Sequence, residues 1–337
     1  MTVTATTTPP LAQVRALSAG DLVTGFYLLT KCETRKKKDG NPFLTICLQD
    51  ATGSLDAKKW EEFNEFYTEA KIGDVVKVEG RVDHYNNVPS LIIARIRVAT
   101  EEEATDKRMY LPHSKLSAED ARKELAALIN SIRNPNLLKV LHAVFDDAEF
   151  MERFLDAPGG KKWHHCSMGG LAEHTISLAK LADCVAGLYG ELDRDLLLTG
   201  ALLHDIGKVF ELSTDIAFDY TSEGRLLGHI TEGALYVERK LMELEDFPAE
   251  TRKHVLHLML SHHGGEPGIG SPVRPSTLEA LVLHFCDEID SQTAAFLRER
   301  EAAEGQEISY IRLKDQHYYF KRIDSYEETT EGDSDGE

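Results

Sequence analysis

After residue 20, apolar and polar positions alternate through most of the first third of the chain. The β-rich runs are Leu22–Leu29, Phe43–Gln49, Leu55–Trp60, Val75–Val82 and Leu91–Val98. Period-two patterning of this kind predicts strands. Turn signals separate them: Asp39-Gly40-Asn41, Asp50-Ala51-Thr52-Gly53, and Asn86-Asn87 ahead of Pro89. Between the third and fourth runs, Phe63, Phe66 and Tyr67 recur at helical spacing within Glu61–Ala70. Five strands with one helix inserted before the fourth predict a small closed barrel.

That order is the pattern of an OB-fold; another small β-barrel is the alternative. From Ser117, a helix N-cap residue, the period lengthens to that of helices. Helices are predicted over Ala118–Ile132, Leu137–Val144, Leu171–Leu188, Asp193–Val209, Gly228–Leu244, Pro248–Leu260 and Thr277–Arg298. Ser276 and Glu279 have the spacing of a capping box for the last of these. Weak β signals lie near Ile216–Leu227 and Ser309–Phe320. The fold class expected is therefore α+β multidomain, an N-terminal OB barrel followed by an all-α bundle. The boundaries read as a lead-in at 1–19, the barrel at 20–100, a charged linker at 101–116, the helical domain at 117–322 and an acidic tail at 323–337.

Composition narrows the setting. The chain has 337 residues, with 42% hydrophobic and 28% charged, which suits folded domains and not wholesale disorder. No apolar run is long enough to span a membrane, and Met1–Pro10 has no apolar signal core, so no membrane partner and a cytoplasmic location are expected. The five cysteines are scattered and never in Cys-x-x-Cys spacing, which fits reduced thiols better than a disulfide frame or a Cys-type zinc site.

A net charge of −19 argues at first against a polyanionic partner. Its distribution weakens that argument. Residues 21–100 carry twelve basic and twelve acidic side chains, and Ile323–Glu337 holds seven acids and no base. The barrel is thus neutral, and it contains the run Arg35-Lys36-Lys37-Lys38, placed by the pattern in the loop between the first two strands. OB-folds often use that loop on oligonucleotides. The four cations are candidate contacts for backbone phosphates, and Phe43, Trp60 and Tyr85 are candidate stacking partners for bases. A solvated hairpin tip and a core Trp60 are the plainer readings.

The chemistry concentrates further on. Ten of the fourteen histidines fall between His164 and His284. Within that stretch runs an ordered series: His174, His204-Asp205, His229, His262-His263 and Asp287. The gaps are 30, 25, 33 and 24 residues, which suits successive helices returning to one point of a bundle. Imidazole with carboxylate suits divalent manganese, iron, cobalt, nickel or zinc better than magnesium. A carboxylate can bridge two cations. Asp205 could serve one ion with His174, His204 and Asp287, and a second with His229, His262 and His263. Two ions a few ångströms apart suit phosphodiester hydrolysis. Lys208, four residues after His204, is a candidate catalytic cation for a phosphate oxygen.

Gly169-Gly170-Leu171-Ala172-Glu173-His174-Thr175, His204-Asp205-Ile206-Gly207-Lys208, Gly228-His229-Ile230 and Ser261-His262-His263-Gly264 resemble the HD metallophosphohydrolase superfamily. The stretch Gly270-Ser271-Pro272-Val273-Arg274-Pro275, with Glu279-Ala280 and His284-x-x-Asp287-x-x-Asp290, narrows this. With the barrel ahead of it, the chain resembles the YhaM-type 3′–5′ exoribonuclease family over residues 20–322. Cys286 and Ser291 stand where such proteins commonly have alanine, and the tail lies outside the resemblance.

The resemblance implies a metal-dependent exonuclease that shortens single-stranded RNA, and single-stranded DNA as a further substrate, to nucleoside 5′-monophosphates. It implies that His165 or His164 lines the path of the substrate phosphate. His257 and His284 are expected to brace ligands rather than bind metal. Asp290 either recognises a ribose or holds a ligand in place. Two alternatives stay open: an HD phosphohydrolase of nucleotides or cyclic dinucleotides, and a non-catalytic nucleic-acid-binding regulator. Oligomeric state is likewise open, a homo-oligomer included.

Overall fold

The computed structural model describes residues 14–85, 88–103, 106–161, 165–213, 218–265, 270–303, 305–311 and 314–321. It divides into two compact units, Met1–Ser291 and Gln292–Glu337. His164 and the acidic tail at 323–337 lie outside the described residues.

The first unit opens with β1 (Leu22–Lys36), β2 (Pro42–Asp50), β3 (Gly53–Lys59), α1 (Asn64–Glu69), β4 (Val75–Tyr85) and β5 (Val88–Val98). These strands close into a barrel in the order β1-β2-β3-β5-β4. Only β3 and β5 pair in parallel among them. This is the OB-fold, with α1 between the third and fourth strands as expected. The period-two pattern decides which side faces inward: Leu44, Ile46 and Leu48 of β2 and Val76, Val78 and Val82 of β4 are all buried in one core with Phe63 and Phe66.

One boundary differs from the expectation. β1 runs on to Lys36, pairing Arg35 with Phe43 and Lys36 with Pro42. Only Lys37 and Lys38 occupy the turn. Beyond Leu29 the strand shifts register at Lys31 and leaves the core, so neither face is apolar and the alternation that marks a strand vanishes.

The bundle contains α2 (Ala118–Asn130), α3 (Pro135–Phe145), α4 (Ala148–Asp156), α5 (Gly170–Ala186), α6 (Arg194–Leu203) and α7 (Lys208–Glu211). The short pair β6 (Leu212–Ser213) and β7 (Asp219–Tyr220) follows, then α8 (Ser222–Met242), α9 (Ala249–Ser261) and α10 (Leu278–Ala302). Side-chain caps set several starts: Ser117 as expected, Asn134 with Pro135 in the first turn, Asp147, Asp193 and Thr221. One continuous apolar core joins these helices, centred on residues such as Leu141, Phe154, Leu197, Leu202, Leu258 and Leu283.

Four details depart from the pattern reading. α4 is an additional short helix, capped by Asp147 and anchored by Phe150 and Phe154. The predicted helix over Asp193–Val209 is two helices, broken at His204–Gly207. α8 begins six residues before Gly228 and bends there. The capping box is absent: Thr277 accepts from the Ala280 amide, while Glu279 reaches across to the Asp193 amide.

The barrel is not loosely tethered. Phe26, Leu28 and Val75 pack against Tyr110, Leu111 and Met168 in a small buried cluster. Gln49 Nε2 also donates to the Tyr110 carbonyl at 3.3 Å. Burial of a large apolar side chain contributes about 1.5–3 kcal/mol, so this seam adds stability to both parts.

In the second unit, β8 (Ile308–Ile311) and β9 (Gln316–Tyr319) form an antiparallel hairpin. Its aromatics pack with the end of α10, Phe296 and Tyr318 having ring centroids 4.9 Å apart. Among the described residues no helix is long and apolar enough to cross a membrane.

Candidate metal centre

The broken helix creates the site. α6 is apolar and buried throughout its last turns, so its C-terminus lies inside the bundle. There His204 caps the helix, and the chain turns through Asp205-Ile206-Gly207 before α7 starts. A Cβ on Gly207 would sit 1.9 Å from the His229 carbonyl, so only glycine lets the turn press against α8. Gly228, at φ 72°, breaks α8 where the chain must redirect His229 toward Asp205.

Five elements thus aim side chains at one point: His174 from α5, His204 and Asp205 from the turn, His229 from α8, His262 and His263 after α9, and Asp287 from α10. His174 Nε2 lies 3.2 Å from His204 Nε2, 3.2 Å from Asp287 Oδ1 and 3.5 Å from Asp205 Oδ2. His204 Nε2 is 3.3 Å from Asp205 Oδ2. On the other side, His229 Nε2 is 3.3 Å and His262 Nε2 3.6 Å from Asp205 Oδ1. The His263 ring stands 4.3 Å from that of His262 and 5.1 Å from that of His229. Asp205 therefore offers one oxygen to each half of the series.

The outward nitrogens decide the tautomers. His204 Nδ1 donates to the Ala201 carbonyl at 2.9 Å, and His262 Nδ1 to the Met259 carbonyl at 2.7 Å. His229 Nδ1 donates to Glu211 Oε1 at 3.0 Å, and His174 Nδ1 to Asp290 Oδ2 at 2.7 Å. A neutral imidazole that donates from Nδ1 presents a lone pair at Nε2. His229 Nε2, His262 Nε2 and Asp205 Oδ1 are all buried and have no hydrogen-bond partner. Each such atom costs about 1–3 kcal/mol when left unmatched. Three lone pairs crowded on one point need a cation, and a histidine–carboxylate donor set suits a divalent transition metal.

Protonation states reflect the same crowding. Burial alone would lower the His174 pKa, but hydrogen bonds to Asp287 and Asp290 outweigh it and push it up to about 9. Burial pulls His262 below the ordinary imidazole value. Asp205 stays well below the usual carboxylate range: burial opposes this, and the Lys208 ammonium and His204 prevail.

Lys208 does not face an open cleft. Its Nζ donates to Asp205 Oδ2 at 2.5 Å and to the Gly159 carbonyl at 2.6 Å, and it is only 7% exposed. The expected same-face relation to His204 presumed one unbroken helix; with the helix broken, Lys208 folds back on Asp205 instead.

A second ring of groups holds the first. Asp290 accepts from His174, from His165 Nε2 at 3.1 Å and from the Ser177 hydroxyl, so its carboxylate is tied to the His174 ring. His165 also faces Glu173 at 3.6 Å, and Glu173 accepts from the Ser114 hydroxyl at 2.8 Å. Burial disfavours the His165 cation, but hydrogen bonds to Asp290 and Glu173 raise its pKa overall. His284 Nδ1 donates to the His262 carbonyl at 2.8 Å. His257 Nε2 accepts from the Ser276 amide at 2.9 Å, bracing the segment that leads into α10. Glu211, Glu173, Ser114 and Ser177 were not singled out from sequence. Of these, only Glu173 had a visible signal, its place beside His174 in the Gly-Gly-Leu-Ala-Glu-His run.

On the barrel, Trp60 is 37% exposed and stacks on Phe43 with ring centroids 4.8 Å apart. Lys37 Nζ sits 5.3 Å from the Trp60 ring centroid. Arg35, Lys36 and Lys38 are close by along the same hairpin. Trp60 is not a core residue.

Comparison with known proteins matches residues 171–292 to the HD domain. Residues 31–99 match an OB-fold nucleic acid binding domain. Similar solved structures include the second OB-fold domain of replication protein A from Methanococcus maripaludis, at 22% identity over 26% of this chain and 93% of that chain, TM-score 0.22. The single-stranded DNA binding protein from Thermus aquaticus is another, at 23% identity over 25% of this chain and 42% of that chain, TM-score 0.23. An HD domain indicates a metal-dependent phosphohydrolase, and the two domains together fit a hydrolase acting on nucleic acid.

Proposed function

With an OB-fold nucleic acid binding domain followed by an HD domain as premise, we propose that this protein is a metal-dependent 3′–5′ exonuclease of single-stranded RNA or DNA, releasing nucleoside 5′-monophosphates. The observation that carries the reading is the buried trio Asp205 Oδ1, His229 Nε2 and His262 Nε2, three lone pairs on one point in the HD domain.

In this reading His174, His204, Asp205 and Asp287 hold one divalent ion, and Asp205, His229, His262 and His263 hold another. Bound ions supply charge neutralisation and Lewis-acid polarisation of the phosphodiester. The chain's own residues do the rest. Lys208 keeps Asp205 ionised and fixed. Asp290 fixes the His174 ring, and Glu211 fixes His229. His165, its ring centroid 5.2 Å from that of His174, borders the cluster and shares Asp290 with it. The Phe43–Trp60 pair with Lys37 stacks bases, and Arg35, Lys36 and Lys38 meet backbone phosphates, a sequence-tolerant grip.

The test uses end-labelled single strands with Mn²⁺, Fe²⁺, Co²⁺, Ni²⁺ or Zn²⁺. Asp205→Ala should remove hydrolysis while the protein stays folded by circular dichroism; full activity in that variant overturns the reading. Removing the barrel is a poor test of its grip, because truncation would bare Tyr110, Leu111 and Met168. Trp60→Ala with Lys37→Glu is cleaner. If oligonucleotide cleavage is untouched by that pair, the barrel does not hold the strand.

A further inference from the structure

A second set of groups gathers around Tyr220. Asp219 Oδ1 accepts from Lys161 Nζ at 2.6 Å and from Arg225 Nη2 at 2.9 Å. The two cations also lie over the Tyr220 ring, Lys161 Nζ 5.2 Å and the Arg225 guanidinium carbon 5.6 Å from its centroid. The ring is 40% exposed. Two cations share one carboxylate here, so the cluster keeps net positive charge within an acidic part of the chain.

Two separate chains of contact tie this cluster to the metal centre. On one side, Lys161 is two residues from Gly159, within about 8 Å by Cα spacing. The Gly159 carbonyl takes the same Lys208 ammonium that binds Asp205. On the other, Tyr220 pairs with Leu212, next to Glu211, and the Thr221 amide donates to the Glu211 carbonyl at 2.9 Å. Glu211 in turn holds His229. The aromatic and its two cations are therefore linked to both halves of the ligand series, through Gly159 and Lys208 on one side and Glu211 on the other.

An exposed ring flanked by cations matches a nucleotide unit: a base face for the ring and a phosphodiester for the charges. Asp219 takes one donor from each cation and fixes both in place, leaving two of three on Lys161 and four of five on Arg225. We infer that Lys161, Tyr220 and Arg225 form a nucleotide-binding subsite linked to the metal centre, gripping the strand upstream of the bond being cut. The subsite rests on the nucleic-acid hydrolase reading and gives it a length requirement: strands that reach the subsite bind better than those that do not.

The experiment compares the full-length metal-loaded parent with Lys161→Ala/Arg225→Ala, Tyr220→Ala and Tyr220→Phe. KM is measured on a single-stranded oligonucleotide and on bis(p-nitrophenyl) phosphate, which is too short to reach the subsite. Affinity for a phosphorothioate single strand, which resists hydrolysis, is measured by anisotropy across a salt series. The double variant and Tyr220→Ala should lose about tenfold more on the oligonucleotide than on the small phosphodiester, and Tyr220→Phe should stay near the parent. The double variant should also flatten the salt slope by about 1.4, since roughly 0.7 is lost per phosphate contact on single strands. Equal losses on both substrates, or an unchanged phosphorothioate affinity and slope, overturn the subsite. Absence of a stepwise ladder with the parent overturns the exonuclease reading instead. In that case the subsite stands if the phosphorothioate affinity still falls in the double variant, and falls if it does not.

Discussion

Glu211 offers the sharpest handle on the metal centre, because it acts on one half of it. Its Oε1 accepts from both the main-chain amide and Nδ1 of His229, at 3.1 and 3.0 Å. The charge holds the tautomer that presents Nε2 inward. Glu211→Gln keeps the shape and removes the charge. Loss of such a supporting partner typically weakens metal affinity about 10–100-fold. At an ion concentration of 100 times the parent dissociation constant, binding stabilises the fold by about 2.7 kcal/mol. A tenfold weaker site keeps about 1.4 kcal/mol under the same conditions. The difference, about 1.3 kcal/mol, corresponds to a loss of roughly 2–5 °C in the metal-induced rise in Tm. The assay is thermal unfolding of parent and variant, each with and without Mn²⁺, so that any effect of the substitution on the metal-free fold cancels. Equal metal-induced shifts in the two proteins would refute the argument that Glu211 orients a ligand.

Other consequences follow the same geometry. Trp60→Ala should weaken single-strand binding by about 1–3 kcal/mol, read by fluorescence anisotropy, because a stacking face is lost. Ser114→Ala removes the hydroxyl that holds Glu173 against His165 and should lower kcat several-fold while leaving single-strand affinity intact; steady-state kinetics beside a binding titration separates the two. The His174 pKa, pushed up to about 9, lies above its unfolded value of about 6.5. Without metal, that proton stabilises the fold fully below about pH 6.5, and the contribution is lost as pH rises through about 9. A metal must displace the proton, so the metal-induced rise in Tm should grow between about pH 6 and about pH 9. A flat difference across that range would count against His174 as a ligand.

The parts of this molecule legible from sequence are those where one local rule decides. Alternation in β2 and β4 marks the barrel core because a single face of each strand is buried. Ser117 marks the start of α2 because its hydroxyl meets the Asp120 amide. The His and Asp series was visible since these residue types are rarely concentrated without a shared task, and the structure brings all seven together.

What stayed hidden depends on tertiary contact. Nothing local separates α6 from α7. The break at Asp205–Gly207 arises because Gly207 must abut the His229 carbonyl, a residue far along the chain. That break in turn sends Lys208 to Asp205 and Gly159, where helical spacing had put it beside His204. Glu211 reads as an ordinary acid in a short amphipathic stretch until His229 is laid over it. Trp60 illustrates the converse. A large aromatic at a strand end is as often core as surface, and only the closed barrel shows it stacked on Phe43, near Lys37 and partly exposed.

The central claim is that the HD centre removes nucleotides one at a time from a 3′ end. Its most direct test is a time course on 5′-labelled single-stranded RNA with metal-loaded protein, resolved at single-nucleotide length. The expected result is a ladder that shortens stepwise from the 3′ end, with nucleoside 5′-monophosphates as the small product and no ladder after chelation or with Asp205→Ala. Internal cuts without stepwise shortening, or hydrolysis that persists in the chelated protein, would contradict it.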